Sequence, residues 1–497
     1  MTAGLILLSA AVLSASHWPV YPYFLDSYYH LAVIRGFSQA GGPVLHAFWE
    51  AAPQGRAHLY PPLFHLLFLP ADRLGVPMIQ LARFWTWASF PLLLGSAWRV
   101  FSRIAGARFA CLALIALATP YSFFLGTINY LPATLALVAA LWMILAIQRQ
   151  RWLAAGIFLG AGFWLHAGIP WLAALGLFLF ALSDPAYRKT CFLALAVGLV
   201  LAGPWLLHLC RHLSAIRIQP RGEDRMLEAP VLPLLLGLFG LPIAWKRKGI
   251  FRLLAMLAIS FLPMALAGYR FRFLATQGLF PWLLLAAVAL DWTYAESRPI
   301  SKVLGNLLIA LLLVSPSLHF SDGRTTWAWA DTTLCSLSGI VPPRPRGTGQ
   351  PVYNRKFMGE LTEAVRVHTG PDELIYSNVN YLAGMMTAFT GRAATNQMLR
   401  EMADRPREEQ IPPARLVLWV KELSGRRSPE MNEAVLRYRL QPLGETEIAY
   451  LFLNPSPTGK RRVVPAVVPW WVTSSGILLA AGGAIAWDFK RRPLPSP

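Results

Sequence analysis

Apolar runs of about 20 residues recur along the chain, and a run of that length is what an α-helix needs to cross a hydrocarbon core about 30 Å thick. Twelve segments read as spans, near 3–22, 77–98, 108–126, 130–148, 152–171, 172–187, 190–208, 229–245, 250–268, 276–294, 302–319 and 467–487. The two at 172–187 and 229–245 are short, and 61–75 competes as a further candidate. Of the 497 residues, 55% are hydrophobic and only 14% charged, against about 25% charged in a typical soluble domain. That excludes a single soluble globular enzyme. It also excludes disorder, which requires low hydrophobicity. The expected fold class is an α-helical polytopic membrane protein.

The charge pattern orients these spans. Lys and Arg total 45 against 25 Asp and Glu, a net charge of +20. In a membrane protein such an excess marks cytoplasmic loops and anionic lipid, so the lipid bilayer is an expected partner and nucleic acid is not. With the N-terminus cytoplasmic, the cytoplasmic turns hold Arg99, Arg103 and Arg108, then Arg149 and Arg151, then Arg188 and Lys189, and the later turns and the C-terminal tail continue the pattern. The opposite turns near 127–129 and 165–171 carry no Lys or Arg. Basic residues at 211–225 and 270–272 fall on the outer side and need another explanation. The first run lacks a basic segment before it, so an uncleaved span is expected. Cys111, Cys191, Cys210 and Cys335 have no metal-ligand spacing and read as small hydrophobes.

Residues 320–466 break the apolar pattern, with nineteen Lys/Arg and fifteen Asp/Glu. Helix-like segments (356–367, 380–389, 429–437) alternate with β-rich runs (373–377, 415–420, 447–453), which suggests a small α/β domain. It follows eleven spans and is therefore expected outside the cytoplasm. The organisation expected is a transmembrane domain over 1–319 with a long first outer loop at 23–76, an extracytoplasmic α/β domain over 320–466, and a final helix with a basic tail over 467–497. No internal repeat is visible, so an inverted-repeat transporter gains no support.

The first outer loop carries the densest chemistry. Asp26 lies at the outer end of the first span among aromatic residues, and His30 follows four residues later, so a helix would put both on one face. Trp49, Glu50, Arg56, His58, Tyr60, Pro61, Pro62 and His65 come next. A carboxylate at a membrane boundary is costly to leave unpaired. Two roles suit Asp26: a base that accepts a proton from an acceptor, or a ligand for a divalent cation such as Mg or Mn. A helix-capping aspartate before an interfacial aromatic belt is the plainer alternative.

This loop resembles the first outer loop of the GT-C membrane glycosyltransferases. That superfamily includes oligosaccharyltransferase catalytic subunits, protein O-mannosyltransferases and lipid A aminoarabinose transferases. In these proteins an acidic residue follows the first span, and the chain returns to the membrane through a Tyr-Pro-Pro-like element. Here Asp26 fills the first position and Tyr60, Pro61 and Pro62 the second. The layout of many spans and an outer α/β domain is similar too, and nearest to bacterial and archaeal relatives of the oligosaccharyltransferase subunit. Two features depart from that pattern. The turn 126–130 has no acid where metal-using members carry one or two, although Asn129 stands near the place. The outer domain lacks a Trp-Trp-Asp-Tyr-Gly motif, because Trp470 and Trp471 fall in the final span.

The resemblance implies a polyprenyl-phosphate or polyprenyl-diphosphate sugar donor, and hence a phosphate leaving group that needs positive charge. Arginine suits this through its planar, permanently charged fork. Arg270 and Arg272 in GYRFRF, with Gln277 after them, offer one site, and Arg221 and Arg225 in the 209–228 turn offer another. Snorkelling arginines at lipid headgroups are the plainer reading of both. His166 lies between Trp164 and Trp171, where it could contact phosphate or sugar or serve as a hydrogen-bonded structural residue. Arg56, His58 and Tyr60 are further candidates for substrate contact.

The function expected is transfer of a sugar, with inversion, from a polyprenyl-linked donor to an acceptor at the outer face of a plasma (inner) membrane. Asp26 is the expected catalytic residue, with His30 or Glu50 assisting. The acceptor could be protein, lipid or glycan. A transporter or flippase of lipid-linked saccharide and a non-catalytic cell-envelope assembly protein are the alternatives.

Overall fold

The computed structural model describes residues 2–22, 26–129, 131–216, 226–266, 270–295, 299–321, 324–340, 355–398, 406–421 and 428–469, together with 472, 476 and 483. The chain divides into two compact units. One comprises Met1–Tyr21, Arg83–His208 and Gln219–Gly349, and the other Pro22–Ala82, Leu209–Ile218 and Gln350–Pro497.

The first unit is built mainly of apolar helices. Among the described residues, Leu131–Gln148, Pro185–Arg211 and Gln277–Ala295 are long and apolar enough to cross a membrane, and seven shorter apolar helices accompany them. Each of the first eleven expected spans overlaps a helix, while 467–487 lies almost wholly outside the described residues. Proline relocates several boundaries. The segment 108–126 is two helices, Gly106–Ala118 and Tyr121–Asn129, divided at Thr119 and Pro120, because proline lacks the N–H and crowds the preceding turn. The break expected at 171/172 falls instead at residues 166–168, with Pro170 in the first turn of the helix Ile169–Ser183. The segment 302–319 is helical only to Leu313, since Pro316 stops it and Ser317–Ser321 is a strand. The candidate at 61–75 forms an eleven-residue helix, Leu63–Arg73, too short to span.

Small residues let these helices pack closely. Val231–Lys246 lies against Phe280–Ala295, and a Cβ on Gly240 would overlap the Leu285 carbonyl. Asp291 on the second helix receives Arg108 Nε at 2.8 Å and Arg247 Nη1 at 3.1 Å. At another edge of the unit three antiparallel strands, Met226–Pro230, Ser317–Ser321 and Arg324–Ala328, form a ribbon. It is tied to the Pro120 break through a bridge from Pro120 to Thr332 and a 2.8 Å bond from Thr333 N–H to the Thr119 carbonyl.

The second unit contains a four-stranded sheet in the order Ile375–Ser377, Leu416–Val420, Ala449–Leu453, Gln441–Glu445. The first pair is parallel and the others antiparallel. Leu416–Val420 is apolar without alternation because it is buried on both faces. The helices Arg355–His368, Asn380–Thr390 and Pro429–Arg437 accompany the sheet. Ser428 caps the last of these through Met431 N–H, with Pro429 in its first turn.

The first loop is part of this unit. The helix Asp26–Ala40 packs on Asn380–Thr390, and Val33, Phe37, Trp49 and Leu69 share one apolar core with Leu361, Met385 and Leu418. Backbone bonds extend the sheet into the loop: Ala394 N–H donates to Trp49 O, Ala52 N–H to Ala394 O and Ala51 N–H to Asn396 O. Gly36 makes the helix–loop contact close, since a Cβ there would collide with the Trp49 indole.

Candidate functional site

In the loop-bearing unit, Asp26 is the first residue of the helix Asp26–Ala40 and is half-buried. A carboxylate at this end meets the positive end of the helix dipole. His30 lies one turn further on and is buried. Its Nδ1 stands 3.0 Å from Nε2 of His65. Tyr60 packs edge-on to the His30 ring at 4.8 Å, and Phe64 at 5.3 Å. His58, also buried, completes the cluster with its ring 5.9 Å from that of His65. Burial, then the neighbouring His30 and His58, hold the pKa of His65 well below its ordinary value, so this imidazole is neutral.

Glu50 and Arg56 form a second, charged cluster. Arg56 Nη2 lies 2.7 Å from Glu50 Oε1, and Glu50 Oε2 accepts the Met398 N–H at 2.7 Å. Glu50 is 0% exposed. Burial opposes the charge on Arg56, but Glu50 and Tyr29 together outweigh it and raise the guanidinium pKa. Glu50 Oε2 thus fastens the loop to Met398, while Oε1 pairs within the loop with Arg56.

In the helical unit, Arg270 and Arg272 lie on the short helix Arg270–Ala275, the first exposed and the second half-buried. Thr276 links this helix to the next, with its hydroxyl donating to Gln277 Oε1 at 2.7 Å. Gln277 is buried. His166 sits between two helices, its Nδ1 accepting from Gly168 N–H at 3.0 Å and Ile169 N–H at 3.1 Å. That pairing places the ring proton on Nε2. His166 stands within electrostatic reach of Arg272. Arg221 and Arg225 lie outside the described residues.

Sequence reasoning named Asp26, His30, Glu50, Arg56, His58 and Tyr60, and the fold gathers all six into one unit. It passed over His65, which the Pro61-Pro62 element carries into the first turn of the helix Leu63–Arg73 and hence against His30. A histidine three residues past a Pro-Pro pair in an aromatic loop was the available signal. Among the described residues, no group of three or more His, Cys, Asp or Glu is placed to hold a metal ion.

No protein-family model matches this chain, and no curated protein does. Solved structures do. The chain is similar to ArnT from Cupriavidus metallidurans bound to undecaprenyl phosphate, with a TM-score of 0.57 at 14% identity over 90% of this chain and 97% of that one. It is similar to the archaeal oligosaccharyltransferase AglB from Archaeoglobus fulgidus in complex with an inhibitory peptide and a dolichol-phosphate, with a TM-score of 0.56 at 12% identity over 92% and 75%. The Archaeoglobus fulgidus oligosaccharyltransferase in complex with Zn and sulfate gives 0.55 at 12% identity over 92% and 74%. At such identities the likeness is one of fold.

Proposed function

We propose that this membrane protein, whose fold is that of the GT-C glycosyltransferases, transfers a sugar from a polyprenyl-phosphate or polyprenyl-diphosphate donor to an acceptor on the extracytoplasmic side of the plasma (inner) membrane. One observation carries this reading: the fold matches, over nine-tenths of the chain, a structure solved with undecaprenyl phosphate. Asp26 supports it, as a carboxylate at the head of a helix locked into a rigid core.

In the proposed reaction an acceptor oxygen or nitrogen attacks the anomeric carbon from the face opposite the phosphate. The new glycosidic bond forms as the carbon–phosphate-oxygen bond breaks, so configuration inverts. The acceptor's proton passes to Asp26, and the electron pair leaves on the polyprenyl phosphate. Within the helical unit, Arg270 and Arg272 are the proposed phosphate-binding residues, with His166 as a further donor. Gln277 orients the turn that presents them. Tyr60 packs on Tyr29 and His30 near the start of the Asp26 helix, and His58 on Phe37 near its end. Glu50 and Arg56 act as a structural latch, a buried ion pair that also holds the Met398 N–H. No step is assigned to a divalent cation.

Purified protein in lipid nanodiscs, incubated with extracted native membrane lipids and analysed by mass spectrometry, tests the reading. A new glycosidic product with release of polyprenyl phosphate is expected. Movement of labelled lipid-linked saccharide across vesicles with no new bond would replace it with transport.

A further inference from the structure

We infer that one face of the three-stranded ribbon is a lipid-docking surface, seated in the headgroup layer of the bilayer and anchored by Trp327 and Trp329. The inference rests on membrane residence alone and is independent of the catalytic reading.

The ribbon has two chemically different faces. Side chains alternate along a strand, and directly paired residues share a face. Glu228 pairs with His319, and His319 with Thr326. On that face His319 Nε2 lies 3.1 Å from Asp331 Oδ2, and Nδ1 lies 3.5 Å from Glu228 Oε1. The polar groups are thereby collected and partnered on the inner side. The opposite face carries Leu318 paired with Trp327, and Phe320 paired with Thr325. Trp327 is 53% exposed, Trp329 72% and Phe320 37%. The two indoles stack with centroids 6.3 Å apart and planes 22° apart, forming a single apolar plate.

An exposed plate of this kind needs an occupant, and its attachment to the fold identifies one. The strand Met226–Pro230 runs directly into the apolar helix Val231–Lys246, which exposes Leu235, Leu238 and Phe239. The strand Ser317–Ser321 follows three residues after the apolar helix Pro299–Leu313, which exposes Val303, Leu307 and Leu311. The apolar face of the ribbon therefore continues the lipid-facing surface of two membrane helices at their ends. That is the depth at which indole is favoured, with an apolar ring in the acyl boundary and an N–H in the headgroups.

Site-directed spin labelling of the full chain in phosphatidylethanolamine/phosphatidylglycerol nanodiscs tests this. In a Cys210→Ser background, which removes the exposed native thiol, labels are placed by Trp327→Cys and Trp329→Cys, and on the opposite face by Thr326→Cys. All three side chains are exposed. Collision with oxygen relative to a water-soluble nickel chelate should be several-fold higher at 327 and 329 than at 326. Equal ratios at the three positions, or water-like values at both 327 and 329, would overturn the assignment and leave the plate facing solvent, a sugar or a second protein.

Discussion

Nδ1 of His30 lies 3.0 Å from Nε2 of His65, within a buried cage of aromatic rings. One of the two nitrogens must donate and the other accept, so the pair holds together only while at least one ring keeps a lone pair for its partner.

The consequence is acid sensitivity. The pKa of His65 in the folded state is depressed well below 6.5, its ordinary value. The unfolded chain therefore takes up a proton below that pH while the folded chain does not. Stability is fully present above about pH 6.5 and falls as the pH drops, by at most about 1.4 kcal/mol per pH unit for this one group. Thermal unfolding followed from pH 7.5 to 5.5 should show this decline. His65→Gln, which keeps an amide near the Nε2 position without titrating, should flatten it. Parallel curves for the two proteins would contradict the placement.

The Glu50–Arg56 latch makes a second expectation. Glu50→Gln leaves a buried guanidinium without its counter-charge and should cost about 3–5 kcal/mol. Glu50→Leu combined with Arg56→Met removes both charges and should recover a large part of the loss. A double variant no more stable than the single one would show that the ion pair is not the source. The readout is unfolding in detergent by a thiol-independent probe.

Gly36 offers a packing test. Any Cβ there meets the Trp49 indole, so Gly36→Val should overpack the core and cost about 1–3 kcal/mol. Adding Trp49→Leu should relieve it. Wild-type stability in Gly36→Val would mean that the indole sits elsewhere.

Much of the loop-bearing unit was legible in the sequence. Helices expected at 380–389 and 429–437 occur as Asn380–Thr390 and Pro429–Arg437, and the β-rich runs occur as Ile375–Ser377, Leu416–Val420 and Ala449–Leu453. The strand Gln441–Glu445 was not, because QPLGE is an exposed edge with Pro and Gly and has no apolar alternation. The spacing of Asp26 and His30 predicts one helical face, and the helix Asp26–Ala40 places them one turn apart. The role of Glu50 was not: its partner Met398 lies 348 residues away, and the contact is to a backbone N–H that leaves no sequence pattern. The strand Ser317–Ser321 was hidden inside the apolar run 302–319, where periodicity cannot separate strand from span.

The phosphate-holding role proposed for Arg272 has its own test. Charge-assisted hydrogen bonds contribute about 1.5–3 kcal/mol, so Arg272→Ala should lower kcat/KM for the polyprenyl-linked donor by about 10- to 150-fold. Arg272→Lys should restore part of it by charge alone. Arg270→Ala, on a more exposed side chain, should have the smaller effect. Unchanged donor kinetics in both alanine variants would remove these residues from the donor site.

The most direct measurement is the release of polyprenyl phosphate, coupled to sugar transfer, by wild-type protein and by Asp26→Asn in the same nanodiscs. The wild type should release one polyprenyl phosphate for each glycosidic bond formed. Asp26→Asn should keep the unfolding profile of the wild type and lose transfer by at least about 100-fold, the scale of a lost general base. Transfer at the wild-type rate by Asp26→Asn would contradict the proposed role of this carboxylate.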